Sequence, residues 1–360
     1  MKNNKQYSFA DNIRISISEN MKKNKNIILF GEGIDDPSSM FGTTKGLRKK
    51  YGISRTIEMP ISENCLVGAA IGSSLMGDTV IVNLQRVEFA LLALEQIINN
   101  AAKTHYLTRG KHNVNIVIRL IIGRGWGQGP EHSQSLESLF SYIPGLKVYM
   151  PAFPFEAYQL MNLAIKDGNP IIFLENRWCH YAIDKFNPQK LNHMKNNSFS
   201  KLNDGNHLTL ISSSYNSLMN YQLVMLLKKY SVNIDFFNLK ILKPLNTDLI
   251  INSIKKTKKL ICIDTGPKIL GIGSEILSRI LESGIKLDQK PIRLGTPDHP
   301  TPSSRAFIDK IYLDKYQVLT HIFSQLGTSK KIINLIRNDL KKEDKNLPKD
   351  IPDPKFKGPF

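Results

Sequence analysis

Residues 113–122 read Asn-Val-Asn-Ile-Val-Ile-Arg-Leu-Ile-Ile (NVNIVIRLII), a run that is nearly continuously apolar from Ile116 onward. A strand wetted on one face would alternate polar and apolar side chains. A near-continuous apolar run instead predicts a strand covered on both faces, as in a parallel sheet flanked by helices. The flanking sequence agrees. Short apolar runs at 26–32 (NIILFGE), 79–84, 147–150 and 170–175 alternate with helical patterns at 63–77, 88–107 and 155–166. Strands alternating with helices define an α/β domain built on a parallel sheet. Ahead of it, Phe9, Ile13, Ile17 and Met21 recur at helical spacing and predict an amphipathic helix belonging to the fold.

The polar, aperiodic stretch 188–206 reads as a linker. Beyond it a smaller α/β unit begins, with strands at 208–212, 233–239 and 260–264 and helices at 218–230 and 274–282. The division is therefore a first domain over 1–187, a linker over 188–206, a second domain over 207–328 and a charged, then Pro-rich tail over 329–360. Low apolar density makes that tail a segment that packs on a neighbour or stays mobile.

A chain of 360 residues is long enough for two cores, and 41% hydrophobic with 22% charged residues is ordinary globular composition. No apolar run approaches the roughly 18 residues of a membrane span, and residues 1–26 lack the apolar stretch of a secretory signal. Three cysteines without CxxC spacing argue against a disulfide framework or a zinc site, and the reading is cytoplasmic. The net charge of +18 is spread along the chain among many asparagines. A nucleic-acid site would gather it into a stripe with aromatic platforms, so the composition argues against that partner.

Four places invite chemistry. The run GRGWGQG over 123–129 follows the decisive strand, but Gln128 stands where a dinucleotide fingerprint needs its last glycine, so no nicotinamide site is expected. That loop leads to His132. Glu63 opens a helix rich in Gly, Ala and Ser, and Glu32 ends the first strand, where α/β sheets bind ligands. Taken singly, each has a structural reading as well: a plain loop, a packing histidine, a carboxylate favoured at a helix N-terminus.

In combination they are specific. GE at 31–32, KGLRKKYG at 45–52, PISEN at 60–64, LEQIINNAAK at 94–103, HSQS at 132–135, PGLKV at 144–148 and NPIIFLEN at 169–176 occur in one order. LKILKPLN at 239–246, ICIDTGPKILGIGSEI at 261–276, PDHPTPSS at 297–304 and the terminal DIPDPKFKGPF continue it. Nearly the whole chain resembles the β subunit of thiamine-diphosphate-dependent 2-oxoacid dehydrogenases. These pair a transketolase-like pyrimidine-binding domain with a transketolase C-terminal-type domain.

The resemblance implies the rest. Glu63 takes the position of the glutamate that hydrogen-bonds the aminopyrimidine ring, and Phe89 that of an aromatic lying against it. Glu32 matches an acidic residue near the pyrimidine, and His132 the histidine serving intermediates and acyl transfer to a lipoyl group. Ala164, Ile165, Asp167 and Asn169 match a monovalent-cation site that implies K+. In this superfamily Mg2+ and diphosphate are held through a GDG motif, which the chain lacks. The resemblance thus implies an α subunit supplying that half, an α2β2 heterotetramer, a lipoyl acyltransferase component and a 2-oxoacid substrate. Two other readings stay open: the C-terminal half of a split transketolase moving a ketol unit, and a scaffold subunit without turnover. Gln85, Arg86, Val87 and Glu88 stand where relatives carry a Met-Thr-Phe-Asn type stretch, a departure that bears on substrate choice or pairing with the partner.

Overall fold

The structure is a computed structural model describing residues 6–123, 127–184, 197–327 and 329–343. Arg124, Gly125 and Trp126 of the glycine-rich run, the first part of the expected linker and the Pro-rich end of the tail lie outside the described residues. In chain order the strands are β1 (Tyr7–Ser8), β2 (Ile27–Gly31), β3 (Thr56–Glu58), β4 (Thr79–Arg86), β5 (Ile116–Ile122), β6 (Lys147–Tyr149) and β7 (Ile171–Asn176). There follow β8 (Ile183–Asp184), β9 (Phe199–Asn203), β10 (Leu208–Ser213), β11 (Ile234–Leu239), β12 (Ile241–Lys243), β13 (Leu260–Pro267) and β14 (Ile292–Thr296).

The decisive run becomes β5, buried at every position, between β7 and β4 in a seven-stranded sheet ordered β12-β6-β7-β5-β4-β2-β3. All pairings among β2 to β7 are parallel. Ile118 is fully buried there; cutting such a residue to alanine costs about 2–5 kcal/mol. The N-terminal helix Phe9–Lys23 starts at a capping box, in which the Ser8 hydroxyl accepts from the Asp11 amide at 3.1 Å. Its stripe of Phe9, Ile13, Ile17 and Met21 is fully buried, and the helix packs on helix Pro154–Asp167. That second helix begins with proline in its first turn and ends at Gly168 in the left-handed region.

The second sheet has five strands, β14-β13-β10-β11-β9, parallel except for β9 at one edge. The two units are interlocked. Directly after β11 the chain leaves the second sheet, and β12 pairs antiparallel with β6 at the edge of the first. The Lys243 ammonium then donates to the Ser141 and Ile143 carbonyls at 3.0 and 2.6 Å. Buried residues of both units, such as Phe173 and Phe237, share one continuous apolar core.

Three sequence expectations are corrected. Within the stretch read as linker, residues 199–203 form β9; a short edge strand pairs on one side only and carries polar residues such as Lys201, so its periodicity is weak. Within the expected tail, Lys330–Glu343 is a helix whose Ile336 and Leu340 are 0% and 1% exposed in the second domain's core. Its charged face hid an apolar stripe at helical spacing. The helix expected over 88–107 is a rod of three windings: a 3-10 turn at Phe89–Ala93, a π-helical stretch at Gln96–Ala101 and an α-helical end at Ala102–Leu107. Among the described residues no helix is long and apolar enough to cross a membrane.

Candidate active site

Parallel strands all end on the same side of a sheet, and there the candidate residues collect. Glu32 follows β2, Glu63 opens helix Glu63–Leu75 just after β3, Phe89 follows β4, and His132 lies in the loop after β5. Helix Glu63–Leu75 packs against the Phe89–Ala93 turn, bringing the carboxylate side and the aromatic side together.

Glu32 and Glu63 are buried, 4% and 5% exposed. Burial, and then the carboxylates of Glu63 and Glu58, push the Glu32 carboxyl up to about 7. Its Oε1 has no hydrogen-bond partner among the described residues. Glu58 is otherwise engaged, its carboxylate accepting from the Gly33 and Asp35 amides at 2.8 Å each and pinning the loop after Glu32. Glu32 reaches its position because Gly31, at φ +146, lies flat against β4: a Cβ there would sit 2.1 Å from the Asn83 carbonyl oxygen.

Phe89 is half-buried, and its ring meets that of His132 edge-on, centroids 5.6 Å apart. The histidine loop is held by two charged residues, Arg86 and Glu88. Arg86 donates to the His132 carbonyl at 2.6 Å and to the Gln128 side chain, while Glu88 Oε1 lies 2.8 Å from His132 Nδ1. Burial holds the Arg86 guanidinium below its usual value; Glu88 opposes that effect and Arg177 adds to it. Deeper in the sheet, Arg119 makes a bidentate pair with Glu175 at 2.6 and 3.0 Å and donates to Asn83 at 2.9 Å. His180 closes the cluster 3.2 Å from the second Glu175 oxygen. Arg177 lies over the Phe41 ring at 4.0 Å.

Sequence reading named Glu32, Glu63, Phe89 and His132, and the fold brings them to one edge. It did not assign the supporting residues. Arg86 and Glu88 stood out only as a departure, and nothing local marks Glu58, Glu175 or His180. The residues expected to hold a monovalent cation lie elsewhere, at the end of helix Pro154–Asp167. There the Asp167 carboxylate takes the Lys147 ammonium at 2.6 and 2.7 Å and the Asn169 amide at 2.7 Å. The carboxylate is thus committed to protein groups, and an ion would draw on the backbone oxygens that a helix C-terminus leaves unpaired.

The site suits a heteroaromatic ring with polar edges: a buried helix-start carboxylate, a second buried carboxyl with an unpartnered oxygen, and a half-buried phenyl face. These are features of a transketolase-type pyrimidine-binding chain, and the family comparison agrees. The family model "Transketolase, pyrimidine binding domain" matches residues 5–178, and "Transketolase, C-terminal domain" matches 199–318. A solved split-gene transketolase, an inactive beta4 tetramer, shares the fold with a TM-score of 0.72 at 18% identity, over 89% of this chain and 98% of that one.

Sequence relatives narrow the family. The pyruvate dehydrogenase E1 component subunit beta of Porphyra purpurea is 31% identical over 323 residues, 89% of this chain and 97% of that protein. That of Gracilaria tenuistipitata var. liui is 35% identical over 81% of this chain and 90% of its own. The human mitochondrial protein is 30% identical over 84% and 86%. The chain belongs to the family of pyruvate dehydrogenase E1 component β subunits.

Proposed function

We propose that this chain is the β subunit of a thiamine-diphosphate-dependent 2-oxoacid dehydrogenase and contributes the pyrimidine half of a site shared with an α subunit. The observation that supports this most directly is the position of Glu63, Glu32, Phe89 and His132 at the C-terminal ends of parallel strands. When bound, thiamine diphosphate supplies the electron sink for loss of carbon dioxide from a 2-oxoacid. Glu63 would share a proton with a nitrogen of the pyrimidine ring, its burial keeping water away from that bond. Phe89 would lie against the ring. Glu32, a proton carrier near neutrality, offers its unpartnered oxygen to the polar edge of the cofactor. His132 would exchange protons with the substrate-derived group during acyl transfer to a lipoyl acyltransferase component.

The α subunit holds the diphosphate through Mg2+, and the assembly is an α2β2 heterotetramer. Ile61, just before Glu63, is 84% exposed, and Leu92, just after Phe89, is 63% exposed. Large apolar side chains left in water beside a site support a partner that covers them. K+ at the 164–169 helix end belongs to the same proposal, as does a cytoplasmic location, which the free thiols of Cys65, Cys179 and Cys262 support. The test is co-expression with an α subunit, followed by an assay with thiamine diphosphate, Mg2+, an artificial electron acceptor and a panel of 2-oxoacids. Turnover is expected only with both chains, and Glu63→Gln is expected to lower it about 10²- to 10⁴-fold. Turnover by this chain alone, or unchanged turnover in Glu63→Gln, overturns the assignment.

A further inference from the structure

A glycine-rich loop can bring a histidine to a site, but it does not orient the ring. Gly123, Gly127 and Gly129 all have positive φ, which lets the chain make the turns that lead to His132 but places no group against its ring. What holds the imidazole comes from 44 residues earlier in the chain. Glu88 Oε1 lies 2.8 Å from His132 Nδ1, and the Phe89 ring meets one edge of the imidazole. The Glu88 side chain is 8% exposed and that of His132 38%, so the bond is made at the inner end of a ring whose other end is accessible. Arg86 is the charged group facing Glu88 from its own strand end, and it also fastens the His132 carbonyl and the Gln128 side chain. One short segment, Arg86 to Phe89, therefore contacts the loop backbone, the ring nitrogen and one side of the ring.

We propose that Glu88 is the positioning residue for His132: its carboxylate accepts the Nδ1–H, selects that tautomer, and leaves Nε2 as the nitrogen presented to the reacting groups. Arg86 braces the arrangement by docking the loop and balancing the carboxylate charge in a buried setting. The logic is that of any imidazole whose distal nitrogen is defined by the bond its proximal nitrogen makes. The inference rests on the function proposed above for His132, and it assigns a role to Arg86 and Glu88, the charged pair within the 85–88 stretch.

The test uses the full chain assembled with its α subunit, uniformly carrying ¹⁵N-histidine, with the His132 signal identified by its loss in His132→Gln. Solid-state ¹⁵N spectra distinguish protonated from unprotonated Nδ1. In the parent protein Nδ1 is expected to be protonated and hydrogen-bonded. In Glu88→Ala that signature is expected to disappear, with kcat for 2-oxoacid turnover down about 10- to 100-fold and KM changed less than about twofold. Glu88→Gln, which preserves shape and guards against a folding defect in the alanine variant, is expected to give a mixture of tautomers and an intermediate kcat. Nδ1 protonation and kcat unchanged in both variants overturn the proposal, as does a rise in KM alone. The tautomer readout needs no turnover: a parent protein inactive on every 2-oxoacid, yet losing the Nδ1–H signature in Glu88→Ala, would refute the dehydrogenase reading and leave the positioning role standing.

Discussion

Glu175→Gln tests the heart of the first domain. Glu175 and Arg119 stand on the same face of neighbouring central strands, diagonal to one another in the β5–β7 register, and neither is more than 1% exposed. Burial alone would raise the Glu175 carboxyl, but the Arg119 charge beside it and the hydrogen bonds from His180 and Arg119 bring it down to about 2. Against the ordinary 4.5, a value of about 2 corresponds to about 3 kcal/mol of stability. Because the folded value is depressed, that stability is present above pH 4.5 and is lost as pH falls towards 2. Glutamine keeps the shape but strands the Arg119 charge in the interior, and breaking a buried pair from one side costs about 3–5 kcal/mol. At roughly 2–4 °C per kcal/mol for a domain of this size, the melting temperature should fall by roughly 6–20 °C at pH 7. Replacing both partners, Arg119→Met with Glu175→Leu, removes the stranded charge and should recover most of that loss. Thermal and urea unfolding of the three proteins at pH 7 decide the matter. A Glu175→Gln protein within about 1 kcal/mol of the parent, or a double variant less stable than the single one, refutes the reasoning.

Two further outcomes are expected. Glu32 holds its proton up to about 7 in the folded state against 4.5 in the unfolded chain, so it stabilises below pH 4.5 and that contribution is lost as pH rises through 7. Glu32→Gln should therefore unfold much like the parent at pH 4.5 but be about 1–3 kcal/mol more stable at pH 8; a difference independent of pH would count against the buried-carboxyl account. Gly31→Ala places a Cβ 2.1 Å from a backbone oxygen and 2.7 Å from a backbone nitrogen of Asn83, so β2 must move away from β4 at a cost of about 2–4 kcal/mol. Circular dichroism melting checks it, and an unchanged melting temperature would show that the sheet edge yields more easily than this contact implies.

Much of this protein was legible because its signals are local. The both-face burial of β5 is written into seven consecutive positions, and the N-terminal helix into a four-residue repeat of Phe9, Ile13, Ile17 and Met21. Glu63 at a helix start is ambiguous by itself, and it is the motif order that names the family. What periodicity cannot carry is pairing between distant segments. The departure of β12 from the second unit to the edge of the first, and the polar edge strand β9 inside an expected linker, depend on which backbone groups find partners once both sheets exist. Arg119 sits within an apolar run with no local partner; the fold makes it half of an ion pair with a residue 56 positions away. Arg86 and Glu88 read only as a departure until the fold set them under His132. Hydrophobic spacing is a property of one segment and survives in sequence, whereas the orientation of a ring or the charge state of a buried acid belongs to the neighbours that tertiary packing supplies.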